Sequence, residues 1–133
     1  KQFVENSYKK ANLLTKTEYA FFIPLLKECH KRKLMVCPKV RLEDIAYVTD
    51  TENRQKYRGY VRARHIDFIL VNMYCETIAG VELDDPSHNS EEATIVDDFK
   101  NKVFQTIGIP LIRIQVGTDY ASQICMAFDE LEL

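Results

Sequence analysis

The sequence predicts an α/β fold in which a mixed sheet is flanked by helices, with elements in the order α-β-β-β-α-β and a further C-terminal helix. Three observations carry this reading. A capping box at Thr15-x-x-Glu18 opens a helix before any strand pattern begins. Two apolar runs, 65–72 and 77–84, are joined by a short connection, which favours an antiparallel hairpin. A helix-periodic segment then precedes the last apolar run, and a crossover of that kind permits parallel pairing.

The composition fits one soluble globular domain. With 133 residues the chain is long enough for one core, and 46% hydrophobic with 29% charged residues is ordinary for that class. The formal net charge of −2 gives no whole-chain attraction to a polyanion, so any nucleic-acid binding has to come from local charge. Cys29, Cys37, Cys75 and Cys125 form no CxxC pair, which argues against a zinc ribbon and fits ordinary thiols in a reducing compartment. No apolar run is long enough for a membrane span and no signal-peptide pattern is present, so a cytoplasmic location and no membrane partner are the expectations. The chain begins at Lys1 rather than Met, as a piece of a longer protein would. Residues 1–13 read as a linker or approach segment and 14–133 as a single domain.

In chain order, the first helix is capped by Thr15, with Leu14 placed to staple onto Tyr19. Its apolar positions are Tyr19, Phe22, Ile23 and Leu26, and Pro24 predicts a kink or break near Ile23. Residues 34–42 follow as an extended stretch, where Pro38 argues against a central, fully paired strand. Residues 43–48 suit a short helix or turn. Residues 49–64 read as a polar loop carrying Arg54, Lys56, Arg58, Arg62 and Arg64 with Tyr57 and Tyr60 between them. Such a segment is either a solvated connection or a surface where cations meet phosphates and tyrosines stack on bases. After the hairpin, Ser90-Glu91-Glu92 caps a helix whose predicted buried stripe is Val96, Phe99, Val103 and Ile107, ended by Gly108. Residues 109–116 form the next strand. Thr118 or Asp119 then caps a last helix with Tyr120, Ile124, Phe128 and Leu131 facing inward, and residues 129–133 are expected to fray.

The hairpin carries the chemistry. Asp67 interrupts the apolar run Ile66-Asp67-Phe68-Ile69-Leu70-Val71, and the second strand ends in Glu82-Leu83-Asp84-Asp85-Pro86-Ser87-His88. Period-two alternation puts Glu82 and Asp84 on one face, ~7 Å apart along the strand. A carboxylate within an apolar strand costs several kcal/mol if buried without a partner. Asp67 is therefore either a cation ligand or an ion-pair partner of Arg62, Arg64 or Arg113. A hard divalent cation needs only one or two carboxylates plus water and substrate oxygens, and Asp67 and Glu82 meet that need if their strands are neighbours. Asp84 lies further along the same face, and His88 stands just past the strand as a candidate acid, base or phosphate contact. Asp85 is explained by its Asp-Pro-Ser turn and Glu18 by its cap.

These residues, in this order, resemble the PD-(D/E)XK nuclease superfamily. More specifically they resemble an uncharacterised bacterial domain family allied to very-short-patch-repair-type endonucleases. Four segments carry the likeness: Leu14-Thr15-x-x-Glu18, His65-x-Asp67-Phe68, Glu82-Leu83-Asp84-Asp85-x-x-His88 and Gly108-Ile109-Pro110-Leu111-Ile112-Arg113-Ile114. The resemblance implies a restriction-endonuclease-like core and hydrolysis of nucleic-acid phosphodiesters, DNA in the first instance, with Mg²⁺ or Mn²⁺. By position it implies metal ligation by Asp67 and Glu82, with Asp84 and Glu18 as further ligands. It implies catalytic help from His88. It leaves Lys56, Arg58, Arg62 and Arg64 to meet the nucleic acid. The superfamily usually carries Lys where this chain has Asp84, so the missing charge is expected from the following helix, at Lys100 or Lys102. The alternative is a nucleic-acid-binding or accessory module of the same fold that has lost turnover, and a third reading is a protein-interaction domain with ion-paired acids.

Overall fold

A computed structural model of the chain describes residues 3–88 and 90–133, apart from the side chain of His88. The described residues form four α-helices and four strands. In chain order these are α1 (Lys16–Lys31), β1 (Met35–Arg41), α2 (Arg54–Arg62), β2 (His65–Val71), β3 (Thr77–Asp84), α3 (Glu91–Ile107), β4 (Leu111–Gln115) and α4 (Tyr120–Glu130). The sheet order is β1-β2-β3-β4. β1, β2 and β3 pair antiparallel, and α3 carries the chain across so that β4 joins β3 in parallel. The expected mixed α/β sandwich is therefore the observed one. β1 sits at the edge, where the missing amide hydrogen of Pro38 costs least.

Two apolar clusters cover the two faces of the sheet. On one, Phe21, Leu25 and Cys29 of α1 and Ile124 and Phe128 of α4 pack on Phe68, Leu70, Ala79, Val81, Ile112 and Ile114. On the other, Leu42, Val61 of α2 and Phe104 of α3 pack with Ile66, Ile69 and Val71. Phe104 can pack closely on the sheet because β3 carries Gly80 beside its ring. A Cβ there would stand 2.5 Å from the Phe104 ring and 3.0 Å from Leu111. Gly80→Ala is expected to lower stability by about 2 kcal/mol through overpacking, read as a lower urea midpoint at unchanged slope, with Phe104→Leu in the same chain recovering part of it. Full stability in Gly80→Ala would show that the ring moves freely.

Several local expectations give way to packing. α1 runs through Pro24 as one helix, since Phe21, Leu25 and Cys29 are fully buried on both sides of it and outweigh one lost hydrogen bond. Its buried face is that 21–25–29 stripe, while Tyr19 and Leu26 are exposed. Leu14 therefore packs on the core cluster rather than stapling onto Tyr19. In α3 the fully buried residue is Phe104; Phe99 and Val103 flank it half-buried, and Ile107 lies at the surface. The expected polar loop at 49–64 contains α2, which follows a turn held by the Asn53 amide donating to Asp50. Its Val61 is buried, and Tyr60 meets Tyr57 and Phe99 edge-on.

The cap of α1 is the predicted box: the Glu18 amide donates to Thr15 Oγ1 and the Thr15 amide donates to Glu18 Oε1. Ser90 caps α3, and Gly108 ends it in the left-handed region. α4 starts at Asp119 without a side-chain cap bond. Its end does not fray. Arg32 donates to Glu28, Asp129 and the Leu133 carbonyl, and so ties the ends of α1 and α4 together. Cys29, Cys37, Cys75 and Cys125 are all free thiols, and burial pushes the Cys29 thiol up to about 12.

Candidate functional site

The antiparallel ladder between β2 and β3 runs from Val71↔Thr77 to Phe68↔Val81 and then stops. The next opposed pair in that register is Asp67 and Glu82. Here side chains take over the strand contacts. The Asp67 amide donates to Glu82 Oε2 at 2.9 Å, and the Leu83 amide donates to Asp67 Oδ2 at 2.8 Å. Each acid thus satisfies a backbone amide of the other strand where the two strands part, which solves the amide accounting that an abandoned ladder creates. β3 continues beyond this fork, paired to β4 as far as Asp84↔Gln115.

The fork opens into a cleft of about 660 Å³ lined by Thr15, Thr17 and Glu18 from the start of α1, Asp67 of β2 and Glu82 to Pro86 around the end of β3. Ala93 and Asp97 of α3 and Gln115 and Val116 after β4 complete it. Six of its lining residues are acids (Glu18, Asp67, Glu82, Asp84, Asp85, Asp97) and none is basic, so its field favours cations. Glu82 is only 4% exposed. Its charge is met by Lys100, whose Nζ lies 2.6 Å from Glu82 Oε1 and is itself largely buried. Among the described residues Asp67 makes no ion pair: its candidate partners Arg62, Arg64 and Arg113 do not reach it, and Lys100 acts on it only as a neighbouring charge. Burial, and next the Glu82 charge, push the Asp67 carboxyl up to about 7.

Arg113 lies opposite Glu82 in the β3–β4 register but turns to α3. It bonds Asn101 Oδ1, the Asp97 carbonyl and Asp84 Oδ1, the last at 3.1 Å, with Asp97 Oδ1 at 3.5 Å. Burial holds Asp84 above the usual carboxylate range even though Arg113 pulls the other way. Asp84 lines the cleft, yet its charge is already paired. Glu18 also lines it, and adds to its cap bond an ion pair with Lys39 at 3.5 Å. Asp85 closes its expected turn by accepting from the Ser87 amide and hydroxyl.

Of the sequence-derived site residues, Asp67, Glu82, Asp84, Glu18 and Lys100 come together at this cleft. Lys102 instead lies by a separate groove beside Tyr47, Tyr57 and Thr106. The His88 side chain lies outside the described residues. The basic set lies away from the cleft lining, on or just after α2. There Arg58 is paired to Glu43 at 2.7 Å, Lys56 lies 5.8 Å from the Tyr57 ring centroid, and the Arg64 Nε is buried without a hydrogen-bond partner among the described residues. Three polar groups were not singled out for the site from sequence: Lys39, Asp97 and Asn101. Lys39 had the weakest signal, since nothing in Pro38-Lys39-Val40 announces its backbone geometry.

A divalent ion fits the donor chemistry through Asp67 and Glu82. Mg²⁺ needs one or two carboxylates and keeps water and substrate oxygens as its other ligands. Glu82 is buried and Asp67 half-buried beside it, with Lys100 as the cation on Glu82, and desolvation first and the Glu82 charge second raise the Asp67 carboxyl. Among the described residues no group of three or more His, Cys, Asp and Glu side chains stands together to hold an ion, so a metal here would rely on those non-protein ligands. Among the described residues no helix is long and apolar enough to cross a membrane.

No curated protein and no solved structure matches the chain. A family model does, over residues 10–130, from the capped start of α1 through both acidic strands to the end of α4. The chain belongs to the family described as "Protein of unknown function (DUF2726)".

Proposed function

We propose that this domain is a divalent-metal-dependent nuclease of the PD-(D/E)XK kind, hydrolysing phosphodiester bonds of nucleic acid, with DNA as the first substrate to test. The observation that carries the reading is the Asp67–Glu82 fork, a half-buried and a buried carboxylate at the point where β2 and β3 separate, with Lys100 reaching Glu82 from α3. Asp67 and Glu82 would hold Mg²⁺ or Mn²⁺, with Asp84 and Glu18 on the rim of the same cleft. A bound ion supplies Lewis acidity toward a phosphodiester oxygen and a lower pKa for an attacking water. Lys100 holds a positive charge beside Glu82, where the PD-(D/E)XK pattern would otherwise place it two residues after that acid. It offsets negative charge as a phosphate enters. Lys56, Arg58, Arg62 and Arg64 are the proposed contacts to the rest of the strand, and His88 the proposed catalytic aid.

A second reading has one observation in its favour. Glu82 and Asp84 are already engaged by Lys100 and Arg113, as in a module that binds nucleic acid without cutting it. Incubation of single- and double-stranded DNA and of RNA with the chain in Mg²⁺, in Mn²⁺ and in EDTA separates the two. Metal-dependent cleavage that vanishes in Asp67→Asn supports the nuclease. Binding without cleavage supports the module, and cleavage that survives in Asp67→Asn marks a contaminant.

A further inference from the structure

Among the described residues five non-glycine residues have positive φ: Lys33, Lys39, Cys75, Asp119 and Glu132. Four of them sit where chains turn. Lys33 follows α1, Cys75 is in the β2–β3 connection, Asp119 precedes α4 and Glu132 follows it. Lys39 alone of the five lies inside a strand, with φ 53° in β1. For a side chain of this kind the left-handed region is unfavourable, and such residues persist where the surroundings hold them.

The surroundings here are specific. The register that pairs Pro38 with Phe68 and Val40 with Ile66 sets Lys39 opposite Asp67. Asp67 is opposite Glu82, and Glu82 is paired with Arg113. One row across the whole sheet is therefore Lys39, Asp67, Glu82, Arg113. Arg113 is committed to α3, but Lys39 is not committed to the sheet. Its backbone turn sends the ammonium to Glu18 Oε1 on the rim of the cleft, at 3.5 Å, with the side chain still 39% exposed.

Resting on the nuclease reading above, we infer that Lys39 is a substrate-binding residue of this cleft, which leaves Glu18 to contact a backbone phosphate of the bound strand. A cleft lined by acids needs cations to admit a polyanion. Lys100 is spent on Glu82 and Arg113 on Asp84 and Asp97. Lys39 lies beside the lining and meets the rim at Glu18, and among the described residues its pairing there is long, partly solvated and readily exchanged. The left-handed backbone is the feature that brings it there.

The test uses the full chain carrying Asp67→Asn, so that DNA is not cut, and adds Lys39→Gly, Lys39→Gln or Lys39→Arg. Binding of a labelled DNA oligonucleotide is followed by fluorescence anisotropy across a salt series in Mg²⁺. Lys39→Gly and Lys39→Gln are expected to weaken binding about 3- to 10-fold and to flatten the slope of log K against log salt by about 0.7–0.9, the loss of one phosphate contact. Lys39→Arg should keep both. The Tm of Lys39→Gly should hold or rise, because glycine adopts φ 53° freely. Unchanged affinity and slope overturn the inference, and so does a fall in Tm with unchanged affinity, which marks a structural ion pair. Absence of any DNA binding overturns it as well. Cleavage by the chain with native Asp67 and Lys39 decides the nuclease reading separately, so either can fail alone.

Discussion

Asp67→Asn is expected to abolish metal-dependent cleavage and at the same time to make the protein more stable above neutral pH. In the folded chain the Asp67 carboxyl titrates at about 7, against 3.8 for the free group, because burial and the neighbouring Glu82 charge disfavour its ionised form. Between those two values the folded state holds a proton that the unfolded state has released. Stability therefore falls as pH rises from about 4 through 7, and the loss is complete above that. Asparagine keeps an oxygen to accept from the Leu83 amide and carries no charge, so it removes that slope. The expected gain at pH 8 is roughly 1–3 kcal/mol, with none near pH 4, as read from urea unfolding at the two pH values. Added Mg²⁺ should stabilise the native protein at pH 8 and leave the Asn variant unmoved, since a ligand that binds only the native state raises stability by mass action. An Asn variant no more stable than the native chain at pH 8 would show that Asp67 is solvated rather than strained. A residue that weakens the fold at neutral pH and is kept by the chain is what a functional site looks like in a stability measurement.

Lys100→Met is expected to cost about 3 kcal/mol, because it leaves Glu82 buried without its cation. Methionine fills much of the lysine stem, so the loss reports the missing charge rather than a cavity. The control is Glu82→Gln in the same chain. It should restore most of the stability, since the amide oxygen can still accept from the Asp67 amide, while cleavage stays absent. Lys100→Met should also lose cleavage by itself under conditions where it is folded, checked by circular dichroism alongside the assay. If the single variant is as stable as the native chain, water has replaced the ammonium and the pair is not the buried unit its exposure indicates. If it is stable and still cuts, Lys100 has no part in the chemistry.

The site's residues differ in how legible they are in the sequence. Asp67 stands out because one acid in an apolar strand has few inexpensive explanations, and Glu82 because alternation places it with Asp84 on one face of the next strand. Both are local signals carried by period-two patterning. Lys100 was reachable only by asking which cation could replace the one absent at Asp84, and a helix-periodic segment offers several. The choice of Lys100 over Lys102 rests on which face of α3 lies over Glu82. Phe104, packed over Gly80, decides that face, and the spacing of Val96, Phe99, Val103 and Ile107 did not identify it.

The sequence by itself determined the order of the four strands and of the three helices α1, α3 and α4, the hairpin, the caps at Thr15 and Ser90, the helix stop at Gly108 and the edge position of the Pro38 strand. These depend on residues a few positions apart, and short-range chemistry is fully written in the chain. The tertiary structure decided the buried faces of α1 and α3, the helix hidden in the basic segment 49–64 and the tethering of the C-terminus by Arg32. It also decided that Asp84 answers to Arg113, and that Lys39 leaves its strand geometry to reach Glu18. Each of those is a contest between partners far apart in sequence, settled by burial and charge once the sheet has brought them together.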